Sequence, residues 1–450
     1  MEQIHVVTSW ITQHQELIVE PGVKTFITCS VDLEVSWETT YISGIETSIV
    51  SDIAKVEFMK ILVSEYVLST FRIVENGNYV DLLPEAYAIV STLVNSLNLP
   101  GVETYLTMSS NLPKVPWGRA IRVNSVEEYY DLVKKSSEEF DGVVLIAPPR
   151  ELTALSKLIG EKLIGPPSPL VDLLSDKYCT HVELERCGLR TPRTMLVRDP
   201  SGIDQGLLRD LNPPYVVKPS SLAGSECVYV AENVKEVLKY ANLVARCDPG
   251  GKILVQEFIS GFHGSISVIY GESGALLYSL NLQLISMDDS RIKYMGGILP
   301  VRNNRFVYEA ELIVDKLFNC YPVLRGYIGL DVVWNKNGVF IVEANPRLTT
   351  SFIGMSEIYP RIGKLLLDSK FNREKIKETG RLLGDLSRDY AYYLVLSGKT
   401  SLNPDEKIIE FNNAKHVVLV GKTSSRETLI SRVRELLFNK QLAYELEQAI

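Results

Sequence analysis

The segment at 329–347, GLDVVWNKNGVFIVEANPR, constrains the fold of this chain more than any other. Two apolar runs flank NKNG, where Gly338 supplies the left-handed backbone of a tight turn. The segment therefore reads as an antiparallel hairpin. A three-residue loop with a bulge pairs Asn335 with Val339, and counting outward along the ladder sets Asp331 opposite Glu343. Because side chains alternate, Asn345 falls on the same face two residues beyond. Two carboxylates and an amide oxygen then converge, a donor set suited to a hard divalent cation. Mg²⁺ takes only one or two protein carboxylates and completes its octahedron with water and phosphate oxygens. A hairpin whose acidic residues merely face water is the plainer alternative.

Two further segments carry chemistry. Lys218 ends the apolar run YVV and precedes PSSLAGSE, whose Ser220, Ser221, Gly224 and Ser225 are small enough for backbone N–H groups to approach phosphate oxygens. Lys-Pro followed by serines also suits an ordinary solvent loop. In ILVQEFISG, an apolar strand presents Gln256 and Glu257, polar groups that can meet a base beside apolar walls.

Around these segments the chain divides into four parts. Residues 1–55 alternate short apolar and polar runs, a β-rich extension without a legible role. From 56 to 165 strands such as KILV and GVVLI alternate with helical patterns such as EAYAIVSTLVNSLN, which predicts an α/β unit on an open, mainly parallel sheet. From 166 to 365 a helix at SDKYCTHVELERCGL, ended by Gly188, precedes many β-rich segments, which predicts an antiparallel α+β domain. The tail, 366–450, reads as a helical stretch, REKIKETGRLLGDLSRDYAYYLVL, and a final βα unit.

Composition narrows the function classes. At 46% hydrophobic and 23% charged residues the 450-residue chain buries several cores, and no apolar run is long enough to span a membrane. A cytoplasmic location without membrane partners is the expectation. The net charge of -8 and the absence of Lys/Arg clusters interleaved with aromatics speak against nucleic acid. The six cysteines, Cys29, Cys179, Cys187, Cys227, Cys247 and Cys320, show no CxxC pair, so reduced core thiols and no structural zinc are expected. No GxSxG or Cys/His arrangement suggests a covalent nucleophile.

Taken in order, SDKY, VVKP with its small-residue loop, VQEFISG, GLDVVW and EANPR resemble the ATP-grasp superfamily over about 165–365. FHGSISVIY, SLNLQLI, YMGGILP and EANPRLTTSFIG are similar to the branch that contains archaeal tyramine–glutamate ligase. ILVSEYV, LLPEAYAIVSTLV, VLIAPP and GLRTPRT upstream share that likeness. The resemblance implies a pre-ATP-grasp domain followed by an ATP-grasp fold that binds ATP with Mg²⁺, or Mn²⁺ in its place. It implies that Lys177 and Lys218 hold the phosphates, that Gln256, Glu257, Phe258 and Ile259 line the adenine pocket, and that Asp331, Glu343 and Asn345 bind the metal. Many relatives place a ribose-binding Glu where this chain has His263, so His263 is read as an ordinary surface histidine with the ribose contact as the alternative.

The implied activity is carboxylate–amine ligation through an acyl phosphate, with ADP and phosphate released and a glutamate-like amino acid plus an amine as first candidates. Arg347, two residues from Asn345, would stabilise the carboxylate or the oxyanion, unless it forms a structural salt bridge. A carboxylate–thiol ligase, a carboxylase and a non-catalytic ATP-binding module are the alternatives. Small molecules are the expected partners, and a homodimer is compatible with the reading.

Overall fold

The computed structural model describes residues 58–73, 82–203, 206, 208–222, 226–249, 251–288, 290–372, 380–397, 400–410 and 416–437, together with two short paired strands at Gln15–Ile18 and Lys24–Ile27. Gly224, Ser225 and most of the expected β-rich extension lie outside the described residues.

The first unit is a four-stranded parallel sheet in the order Arg119–Val123, Val102–Ser109, Met59–Glu65, Gly142–Ile146. In strand Met59–Glu65 the run Ile61–Val63 is continuously apolar because both faces are covered. Ile61 and Val63 pack on the side of helix Leu83–Ser96, while Leu62 packs on the other side with Tyr129, Val133 and Leu155. The first of these cores runs on into Phe352, Ile353 and Tyr393, so the parallel unit shares buried surface with the rest of the chain. Each large aliphatic side chain buried there contributes about 1.5–3 kcal/mol.

A 13-stranded, mostly antiparallel sheet makes up the second unit. Strands Gly338–Asn345, Gly326–Asn335, Phe262–Tyr270, Ala275–Asp288 and Arg291–Leu299 follow one another, then Tyr229–Ala231, Tyr215–Pro219, Ile253–Glu257 and Thr194–Val197. Helix Asn304–Cys320 covers one face because Phe306, Ala310, Ile313, Val314 and Leu317 recur at helical spacing and meet the core around Trp334. At Gly264 the sheet approaches that indole so closely that a Cβ would sit 1.9 Å from the ring. Helix Val234–Cys247 is capped by Asn233, which accepts the Glu236 amide at 3.1 Å, and buries Val237, Ala241 and Val244 in a separate core.

Three expectations are corrected. The hairpin has a two-residue turn, with Asn335 opposite Gly338 and Trp334 opposite Val339, and a bulge between Asp331 and Val332 then shifts the register by one. In the tail, Tyr390–Ser397 is a buried strand, not part of a helix, and pairs with Gly296–Leu299 and with His416–Thr423. Sheet neighbours on both sides override its local helical reading. The cysteines are not all reduced: Cys187 bonds Cys320 and Cys227 bonds Cys247, which among the described residues leaves Cys179 free, and Cys29 lies outside them. Separations of 133 and 20 residues give no sequence signal for either pairing.

Candidate active site

A cavity of ≈ 290 Å³ opens where the carboxyl ends of the parallel strands meet the large sheet. Glu65 and Ile146, each the last residue of a parallel strand, line one wall, and Asp331, Glu343 and Asn345 line the other. Open parallel sheets commonly bind ligands at that end.

The hairpin sets the polar centre. Asp331 lies opposite Glu343, and Asn345 Nδ2 donates to Asp331 Oδ2 at 3.1 Å. Gln283, from strand Ala275–Asp288 two places across the sheet, donates to Asp331 Oδ1 at 2.8 Å. Burial and the nearby Glu343 charge push the Asp331 carboxyl up to about 6. A divalent cation would relieve that repulsion, and two carboxylates with one amide oxygen match the small protein share of a Mg²⁺ shell. The donor set fits the metal.

Two lysines face this centre from different elements. Lys177 opens helix Lys177–Arg186, whose cap Asp176 accepts the Tyr178 and Cys179 amides, and its ammonium lies 3.4 Å from Glu343 Oε1. Lys218 ends the run YVVK in a central strand and is only 4% exposed. Burial draws its ammonium down to about 8, against the opposing pull of Glu343 and Asp331. Arg347 also lines the cavity, donating to Leu348 O at 3.0 Å and reaching Asn345 Oδ1 at 3.5 Å. Burial lowers its pKa, while Glu343, Asp331 and Glu65 oppose the loss of its charge.

Along the same cavity run Gln256, Glu257, Phe258 and Ile259. Gln256 is fixed by its bond to Thr194 Oγ1 at 2.7 Å, and Glu257 accepts both the amide and the side chain of Asn212. His263 lines the cavity too, half-buried, with burial pushing its imidazole down to about 4. It is thus not an ordinary surface histidine. The serines differ from expectation in the other direction. Ser220 Oγ donates to Asp176 at 3.1 Å and Ser221 Oγ to Asp248 at 2.9 Å, and neither lines the cavity. Their hydroxyls brace the loop between neighbouring elements.

Sequence reading missed Glu65, Glu85, Gln283 and Thr350, all of which line this cavity. Gln283 had a legible signal, since Asn281 and Gln283 share one face of the otherwise apolar strand SLNLQLI. Glu65 and Glu85 had none, being single acids in segments that read as core.

A profile of the ATP-grasp domain matches residues 174–351. The chain is 28% identical over 340 residues to the tyramine–L-glutamate ligase of Methanocaldococcus jannaschii, which covers 71% of this chain and 92% of that protein. Among solved structures, the biotin carboxylase domain of Hydrogenobacter thermophilus 2-oxoglutarate carboxylase, held with MgADP, ADP and bicarbonate, superposes with a TM-score of 0.62 at 14% identity, covering 85% of this chain and 90% of that one. Thermotoga maritima phosphoribosylamine–glycine ligase superposes with a TM-score of 0.59 at 16% identity, covering 84% and 96%. The chain thus carries an ATP-grasp domain at residues 174–351, and over most of its length it is similar to ligases built on that domain.

Proposed function

We propose that this protein is an ATP-dependent carboxylate–amine ligase that works through an acyl phosphate, with a glutamate-like amino acid and an amine as substrates. One observation carries the reading. Asp331, Glu343 and Asn345, the lysines Lys177 and Lys218, and Arg347 all line a single cavity that Gln256 to Ile259 line as well. The likeness to a tyramine–L-glutamate ligase supports the substrate class.

In this reading the adenine lies against Gln256, Glu257, Phe258 and Ile259, and the neutral imidazole of His263 meets the ribose hydroxyls. Lys177 and Lys218 bind the phosphates. Asp331, Glu343 and Asn345 would hold Mg²⁺, which when bound neutralises charge on the phosphate oxygens. Arg347 orients the substrate carboxylate for attack on the γ-phosphorus. That attack forms a C–O–P linkage and releases ADP. The neutral amine then attacks the carbonyl, the C–N bond forms, and phosphate leaves with the C–O electron pair and takes up the proton that the amine nitrogen loses, while Arg347 stabilises the oxyanion.

The test is isotopic. With an ¹⁸O-labelled carboxylate substrate, found by screening ADP release over amino acids and amines, one label is expected in the released phosphate. Hydroxylamine in place of the amine is expected to yield a hydroxamate. AMP with pyrophosphate, or unlabelled phosphate, would rule the route out.

Lys218 adds a pH signature. Its ammonium loses the proton above about 8 in the free protein, and a neutral amine binds phosphate poorly. Affinity for MgADP is therefore expected to fall about tenfold between pH 7 and pH 9. Lys218→Arg, charged throughout, is expected to flatten that fall in titration calorimetry. A wild-type affinity that stays constant over this range would separate Lys218 from the phosphates.

A further inference from the structure

Beside the hairpin, the same cavity has a wall that the proposed nucleotide contacts leave unused. Its part from the parallel unit is apolar: Val67, Leu82, Ala86, Ile89, Ile146 and Pro148. Glu65 and Glu85 line it as well, from a strand end and from the first turn of helix Leu83–Ser96. Glu65 is 4% exposed, and its carboxylate accepts the Leu68 amide at 2.6 Å. Glu85 accepts from Thr350 Oγ1 at 2.9 Å. Among the described residues no ion pair holds either carboxylate. Burial pushes Glu65 up to about 7 and raises Glu85 too.

Glu65, buried, and Glu85, half-buried, share the single guanidinium of Arg347 with Asp331 and Glu343, which leaves a deficit of positive charge beside an apolar wall that a ligand can supply. Nucleotide phosphate would be repelled there. A substrate carboxylate is served instead by Arg347, which faces both glutamates and the hairpin acids.

We infer that Glu65 and Glu85 form the acceptor subsite of this enzyme, which binds the amine as an ammonium ion with its apolar body against Val67, Leu82, Ala86 and Ile89. The inference rests on the ligase reading above and extends it by assigning the amine to the parallel unit. The ammonium head is held by the two carboxylates, and Thr350 keeps Glu85 in place. The acceptor class is then an arylalkyl or alkyl amine recognised as its ammonium ion, which gives a proton to one of the two carboxylates before its nitrogen attacks.

Equilibrium dialysis of the full chain with MgADP tests this. The probes are tyramine, phenethylamine and hexylamine against their neutral counterparts, in which a hydroxyl replaces the amine. At least one ammonium probe is expected to bind tenfold or more tightly than its alcohol, and Glu85→Gln and Glu65→Gln are each expected to erase that preference. Glu65 also caps a helix, so Glu85→Gln is the decisive variant, with MgADP affinity and thermal unfolding showing that it is folded. If no ammonium probe binds, if alcohols bind equally well, or if folded Glu85→Gln keeps the preference, the subsite is overturned. Failure of the ligase reading shows separately, as absence of labelled phosphate and hydroxamate from the wild-type protein while ammonium binding persists.

Discussion

Glu343→Gln is expected to lower kcat/KM by about 10³ while leaving the protein folded. Glu343 lies opposite Asp331 in the hairpin, 3.4 Å from the Lys177 ammonium, and lines the cavity. The amide is nearly isosteric but carries no charge, so it removes half of the anionic pair that would attract Mg²⁺ and leaves Lys177 without its carboxylate. The Mg²⁺ concentration for half-maximal MgADP binding should rise in parallel. Stability should move the other way or not at all. The Glu343 charge helps push Asp331 up to about 6, and removing it relieves repulsion between two neighbouring anions. Turnover and thermal unfolding measured on one preparation separate the outcomes. Catalysis within tenfold of wild type at limiting Mg²⁺ would take Glu343 out of the centre.

Arg347→Ala is expected to cost about 10²–10³ in kcat, with MgADP affinity changed by no more than about threefold. The guanidinium is held by Leu348 O and Asn345 Oδ1 and lies in the field of Glu343, Asp331 and Glu65. That position faces the substrate carboxylate in the proposed reaction, not the adenine wall. Its loss should therefore appear in the chemical step and spare nucleotide binding. Arg347→Lys should recover little, because a point charge cannot reproduce the planar fork that engages two oxygens at once. Single-turnover measurements at saturating MgATP read the effect. A variant with weakened MgADP binding and an intact chemical step would reassign Arg347 to the nucleotide.

The hairpin shows how a local count can reach the right pairing by a different path. A three-residue loop and a two-residue loop differ by one in register, and the bulge between Asp331 and Val332 makes up that one. Turn length is set by Asn335, Lys336, Asn337 and Gly338, which the sequence displays. The bulge depends on how the strand fits the sheet.

What the sequence by itself determined is the chemistry carried on continuous stretches. The run KILV required cover on both faces, Asp176 marked a helix start that presents Lys177, and EANPR put Asn345 and Arg347 two residues apart beside Glu343. Periodicity and spacing act over a few residues, so such features survive reading one letter at a time. Only the tertiary structure decided what distant segments do together. It turned Ser220 and Ser221 to Asp176 and Asp248, joined Cys187 to Cys320, and drew Tyr390–Ser397 into the sheet. It also brought Glu85 to Thr350 across 265 residues. Burial makes an ordinary glutamate into a group that needs a cation, and burial belongs to the packed molecule rather than to any stretch of its sequence.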